Sequence, residues 1–179
     1  MSGFLERIIR AAKLDVNLYE EVEADESSMG QAMGVVVLSS VAAGVGTIGV
    51  GGLRGLLIGA IGALIGWYIW AFLTYIIGAK LLPEAQTKAS YGELLRTIGF
   101  SSAPGLIRIL GIVPIFGGFV FLIAAVWMLV AMVIAVRQAL DYQSTWRAIG
   151  VCIIGWIVQS IILAILLAPF VDLEELGNV

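Results

Sequence analysis

Five long apolar stretches, residues 31–50, 55–77, 94–110, 117–136 and 148–170, dominate this sequence, and no Asp or Glu falls inside any of them. Each approaches the roughly 20 residues with which an α-helix crosses about 30 Å of hydrocarbon. The carboxylates stand at 6, 15, 20–26, 84, 93, 141 and 172–175, where five crossings leave water-exposed connections. Composition agrees: 60% of the 179 residues are hydrophobic and 13% charged, against about 25% charged in soluble domains. A single soluble core of this length does not hide so much apolar side chain, so lipid must take the surplus. The expected fold is all-α, a polytopic bundle of five transmembrane helices. It has an amphipathic segment over 1–30, a membrane domain over 31–170 and a short acidic tail over 171–179.

Lys and Arg set the orientation, because cytoplasmic connections hold their excess. With the N-terminus inside, the inner set is Arg7, Arg10, Lys13, Lys80, Lys88, Arg96, Arg137 and Arg147, and the outer set only Arg54 and Arg108. Five crossings then leave the C-terminus outside. A cleavable signal peptide is not expected, since the first thirty residues are long and acidic before the first apolar run. In that segment Phe4, Leu5, Ile8, Ile9 and Ala12 share one helical face, while Glu6, Arg7, Arg10 and Lys13 lie away from it. This is the pattern of a helix lying flat among lipid headgroups, packing on a protein surface being the alternative. A second helix is expected from Asn17, with Glu20 reaching back, and Ser28 with Gln31 repeats such a capping box before the first span. The acids at 20–26 lack the ligand spacing of a calcium loop and suit a solvated face.

The chain has no His and one Cys, Cys152, inside an apolar run. Histidine catalysis, the usual zinc ligand sets and intrachain disulfides are thereby excluded, and Cys152 is expected as a small buried hydrophobe. The net charge of −3 argues against a nucleic-acid partner. Residues 44–49 match G-x-G-x-x-G by letter, but no strand precedes them and no acid follows at the required distance, so no dinucleotide cofactor is implied. No cofactor or metal is expected.

Inside the spans the most specific packing signal is Gly51, Gly55, Gly59, Gly62 and Gly66, spaced four, four, three and four along one helix face. Such a stripe lets two helix backbones approach closely. Contact within the chain is expected, a second copy being the alternative. Gln159, in the middle of the last span, is expected to hydrogen-bond a neighbouring helix. Arg108, near the outer end of the third span, is expected to snorkel to lipid headgroups. Residues 80–118 are the least regular part, with Pro83, Pro104, Pro114 and several Gly, and a kinked packing helix is expected there.

The run Ser90-Tyr91-Gly92-Glu93-Leu94-Leu95-Arg96-Thr97-Ile98-Gly99-Phe100-Ser101-Ser102-Ala103-Pro104 resembles the characteristic stretch of the Yip1 family. So do Ile112-Val113-Pro114, Trp127, Ala135-Val136-Arg137-Gln138-Ala139-Leu140 and Thr145-Trp146-Arg147-Ala148. The likeness covers about residues 30–168 and marks Tyr91, Arg96, Gly99, Pro104, Pro114 and Arg137 as family positions. It implies five spans with a cytoplasmic N-terminus. In eukaryotes it also implies vesicle membranes and binding of prenylated small GTPases. The chain is similar to the compact prokaryotic members, which points to a bacterial cytoplasmic membrane.

The functional expectation is a non-enzymatic scaffold or accessory subunit with a membrane-protein partner or a second copy. The alternative is a small transporter or channel, which requires a polar cavity between spans. An intramembrane enzyme needs paired acids, a Ser–His pair or acidic metal ligands, and the spans offer none of these.

Overall fold

A computed structural model describes residues 3–47, 52–113 and 115–176, with only the backbone for Gly52, Leu163 and residues 166–176. Gly51 and Pro114 therefore lie outside the described residues. These form seven α-helices: α1 (Phe4–Ala12), α2 (Val16–Ala24), α3 (Met29–Gly46), α4 (Gly52–Thr74), α5 (Tyr91–Phe100), α6 (Gly117–Ala139) and α7 (Thr145–Leu176). Helical turns of other pitch join or extend them, and no strand is present among the described residues.

Among the described residues four segments are long and apolar enough to cross a membrane: Glu26–Gly46, Leu53–Leu81, Gly117–Ala139 and Thr145–Ile162. Their outer faces are studded with Leu57, Ile61 and Ile65 of α4 and Phe119, Leu122, Val126 and Leu129 of α6, all exposed. Apolar side chains on the outside of a well-formed bundle are what a hydrocarbon solvent accepts. α7 carries its helical backbone to Leu176, so most of the acidic tail extends the last helix.

The segment expected as a third span is not one long helix. It divides into α5, ten residues, and a 3₁₀ stretch over Ala103–Ile112. Pro104 has no N–H to donate and disfavours helical geometry in the residue before it. Ser101 Oγ donates to the Ile98 carbonyl at 2.7 Å, helping to close the last α-turn. The broken piece is well buried in its first part, Leu94 to Phe100 and then Ala103, Pro104 and Gly105, before the 3₁₀ stretch emerges with Ile109, Leu110 and Ile112 exposed. It runs parallel to α3 along most of its length. A β-carbon on Gly99 would lie 2.8 Å from Ala32 Cβ, one on Gly105 would strike Ser39, and one on Gly46 would strike the Arg108 carbonyl. Irregular backbone is tolerated where protein covers it, as α3 does along Gly99, Gly105 and Gly111.

At one end of the bundle, here the polar end, the connections knit together. Gln86 Nε2 donates to the Asp141 carbonyl at 2.9 Å and Thr87 Oγ1 to the Leu140 carbonyl at 2.8 Å. α4 ends there in a π-turn over Tyr75–Leu81, whose altered pitch leaves carbonyls to be satisfied from outside. The Tyr142 hydroxyl lies 2.9 Å from the Gly78 carbonyl and 2.8 Å from that of Leu82, shared between them.

The N-terminal helices dock on the same end. Ile8 and Ala11 of α1 are buried, whereas Leu5 and Ile9 point outward. Arg7, expected on a polar outer face, is instead buried, its Nε 3.0 Å from Glu21 Oε1, Nη1 3.0 Å from Gln31 Oε1 and Nη2 2.7 Å from Asp25 Oδ2. α1 is thus packed on protein, with part of its apolar face left over. α2 is capped by Asp15, whose side chain accepts from Asn17 N at 3.0 Å, two residues before the expected cap at Asn17. The expected Ser28–Gln31 box does not form, because Ser28 Oγ donates to the Val22 carbonyl and Gln31 serves Arg7. The capping box present is Ser90 with Glu93, opening α5.

Candidate functional site: an intramembrane cavity and a polar cleft

Two concave features bring together residues of chemical interest. The first is a cavity of about 420 Å³, open on one side, between α3, α4, the 3₁₀ stretch, α6 and α7. Its walls are largely apolar and soft, including Val36, Trp67, Trp70, Met128, Met132 and Trp156, with Ser39, Ser40, Ser102, Arg108 and Gln159 as polar members. Two of the indoles are anchored by their N–H groups: Trp67 Nε1 donates to the Leu95 carbonyl at 2.9 Å, and Trp70 Nε1 to Sδ of the wall residue Met132 at 3.2 Å.

Arg108 turns its side chain along the bundle rather than out past the bundle's end. Its backbone is level with Gly46 at the far end of α3, yet its guanidinium reaches back to Ser39. Nη2 donates to Ser39 Oγ at 2.7 Å and to the Ser39 carbonyl at 3.2 Å, and Nε donates to the Gly105 carbonyl at 3.0 Å. Seven residues separate Gly46 from Ser39, so the charge is drawn about 10 Å from that end toward mid-depth. Among the described residues no carboxylate stands within salt-bridge distance of it. Gly105 makes this geometry possible, since any side chain there would occupy the space of Ser39 Oγ and the guanidinium.

Gln159 lines the same cavity, and its Oε1 is buried without a hydrogen-bond partner. The expected bond to a neighbouring helix is therefore absent at this oxygen. The glycine stripe also differs from expectation. Gly59 and Gly62 are exposed and Gly66 faces the cavity; a β-carbon would meet nothing within 4 Å at Gly62 or Gly66, and only Ser40 Oγ at 3.8 Å from Gly59. Gly55 is partly exposed. The close helix approaches fall instead at Gly99, Gly105, Gly46 and Gly111, where the spacing signal is weak because two chain segments alternate in supplying the small residue.

The second feature is a cleft of about 740 Å³ at the polar end, lined by Glu20, Glu23, Glu93, Asp141, Arg137 and Gln138 among others. Three separate stretches of chain meet there. Gln138 Nε2 donates to Glu20 Oε1 at 2.8 Å, and Arg137 donates to the Tyr142 and Gln143 carbonyls, holding the turn after α6. Burial, then the charges of Asp141, Glu93 and Glu20, push the Glu23 carboxyl up to about 7, with Arg96 opposing them. Arg96 is buried and donates from Nε to the Val22 carbonyl at 2.9 Å and from Nη2 to the Glu23 carbonyl. Tyr91, at the mouth of α5, donates to the Tyr68 carbonyl at 2.9 Å. Among the described residues no group of His, Cys, Asp or Glu is placed to hold a metal ion. Cys152 is buried, as the apolar run around it implied.

Comparison with known proteins adds the following. The chain is 32% identical over 99 residues to ammonium transporter 3 of Dictyostelium discoideum, covering 55% of this chain but only 22% of that protein. No solved structure matches. The family model described as the Yip1 domain matches residues 19–167, running from within α2 to within α7. This helical membrane protein, with its buried α5 and 3₁₀ segment at the centre of the match, belongs to the Yip1 family.

Proposed function

We propose that this chain is a non-enzymatic organiser of membrane proteins, a scaffold or accessory subunit whose polar end is its docking face. The observation that carries this reading is the construction of that end. α1, α2, the connection before α5 and the α6–α7 turn are cross-braced by Arg7, Arg96, Gln86 and Gln138 into one platform around an acid-rich cleft. A rigid concave polar surface outside the apolar spans suits a basic segment of a partner, because complementary charge speeds encounter and fixes register. The partner is a membrane protein or a second copy.

In this reading the chain crosses the bilayer five times, α5 and the 3₁₀ stretch together forming the third crossing. The N-terminus is cytoplasmic, the C-terminus outside, and the membrane is the cytoplasmic membrane of a bacterium. Eight basic residues against two support the orientation, and the parallel run of the broken segment along α3 supports the count. Crosslinking in native membranes followed by affinity purification tests the function. Defined partners or homo-oligomers are expected for the native chain and their loss for Glu20→Lys. Recovery of only a monomer in mild detergents and in nanodiscs overturns it.

A second reading, transport, is favoured by the cavity around Arg108. Its charge repels a cation, so ammonium, named for the partly similar protein, does not suit this cavity. An anion flux in proteoliposomes that Arg108→Gln abolishes would establish this reading; no flux removes it.

A further inference from the structure

We propose that the intramembrane cavity is a binding site for an oxyanion-bearing ligand, with Arg108 as its anchor and Gln159 as its second polar contact. The position of the arginine is costly. A guanidinium drawn toward mid-depth in hydrocarbon is expensive unless its charge is compensated. Ser39 and Gly105 accept from Nε and Nη2, but they are neutral, and the two Nη1 donors have no partner among the described residues. A snorkelling rotamer would have carried the charge outward to water. Instead Gly105 leaves room for it to turn inward. An arrangement that directs a fork of donors away from the bilayer surface serves something inside.

The cavity states what kind of ligand. Guanidinium N–H groups make strong, charge-assisted bonds to phosphate and carboxylate oxygens, and with Nε and Nη2 already donating the Nη1 group is the one left to do so. The buried Gln159 Oε1 is an acceptor in need of a donor, as a hydroxyl or ammonium of the same ligand supplies. The remaining walls are apolar, Trp70, Met128, Met132 and Trp156 among them. A volume of about 420 Å³ exceeds what an inorganic anion fills and lies in the range, roughly 300–1,000 Å³, of sites for larger organic molecules. Oxyanion, donor and apolar body together describe an anionic amphiphile such as a phospholipid with a hydroxylated headgroup. A free phosphate shares the first contact and is the other source of the same chemistry.

The test uses the full chain in two arms. Phosphatidylglycerol is added to delipidated protein in detergent and followed by native mass spectrometry; inorganic phosphate is titrated separately and followed by thermal shift. Three variants are compared: Arg108→Gln, Gln159→Leu, and Gly66→Leu, which places a side chain into the cavity and leaves both polar groups in place. One tightly held phosphatidylglycerol is expected, binding roughly tenfold weaker or worse in Arg108→Gln and Gly66→Leu, and more mildly weakened in Gln159→Leu. If phosphate alone gives a saturable shift lost in the same variants, the proposal stands with a free anion as the source. Folded variants that hold the lipid as the native chain does overturn it, and so does native protein that binds neither probe. Where Arg108→Gln does not fold, Gly66→Leu decides alone.

Discussion

Arg96 sits where two helices exchange a debt. α2 has no basic residue in its last turn, so its terminal carbonyls lack the cation that a helix C-terminus favours. Arg96 of α5 reaches across and donates to the Val22 and Glu23 carbonyls. Replacing it by Ala leaves buried acceptors unmet and is expected to destabilise the chain by about 2–3 kcal/mol. The loss should appear as earlier thermal unfolding and as faster proteolysis within residues 1–28, sooner than elsewhere. Glu23, beside it, carries the pH dependence. Burial first, then its three acidic neighbours, hold its carboxyl near 7, above the ordinary 4.5, so the folded state takes up a proton more readily than the unfolded one. The associated stability is full below about 4.5 and is lost as pH rises through about 7. Glu23→Gln should therefore raise Tm at pH 8 by roughly 1–3 °C, the partial exposure of the group keeping the effect small, and leave it unchanged near pH 4.5. A Tm difference that does not depend on pH would exclude this role. Arg96 was legible as a family position, but its service to α2 was not, because donor and acceptors lie 73 and 74 residues apart.

Among the elements, α5 and the 3₁₀ stretch after it decide how the bundle is packed. Gly99 brings α5 onto α3 so closely that a β-carbon would sit 2.8 Å from Ala32 Cβ and 3.1 Å from the Ala32 carbonyl oxygen. Gly99→Val is expected to destabilise by about 2–4 kcal/mol, since two backbones must separate. Gly62→Ala, with nothing within 4 Å of the new atom, should be neutral or gain up to about 1 kcal/mol from helix propensity. Unfolding by denaturant in the same detergent compares the two; equal effects would contradict the packing described here. The repeat of four and three in α4 signalled small residues correctly but not what they face, because periodicity fixes a helix side and says nothing of its neighbour. The reverse holds for Ser90 and Glu93. Their S-x-x-E spacing fits a capping box that the expectation, set on Asn17 and Ser28, did not include, and it forms, whereas Ser28 gives its hydroxyl to the Val22 carbonyl.

For the whole molecule the testable matter is the path of the chain through the bilayer. On a Cys152→Ala background, a cysteine at Ile115, which is 87% exposed, should react with an impermeant maleimide in intact cells. One at Gln86 should react only after permeabilisation. Labelling of both from the same side would remove the five-crossing path. What sequence alone determined was the solvent and the secondary structure: long apolar runs free of carboxylates can be satisfied only as helices in hydrocarbon, where every backbone group must be paired within its own segment. Family membership rested equally on local residue spacing. Tertiary structure alone decided which small residues touch, which way Arg108 turns, and that the first half of the third apolar run became buried. Those outcomes depend on contacts between segments far apart in the chain, and such contacts leave no period in a linear sequence.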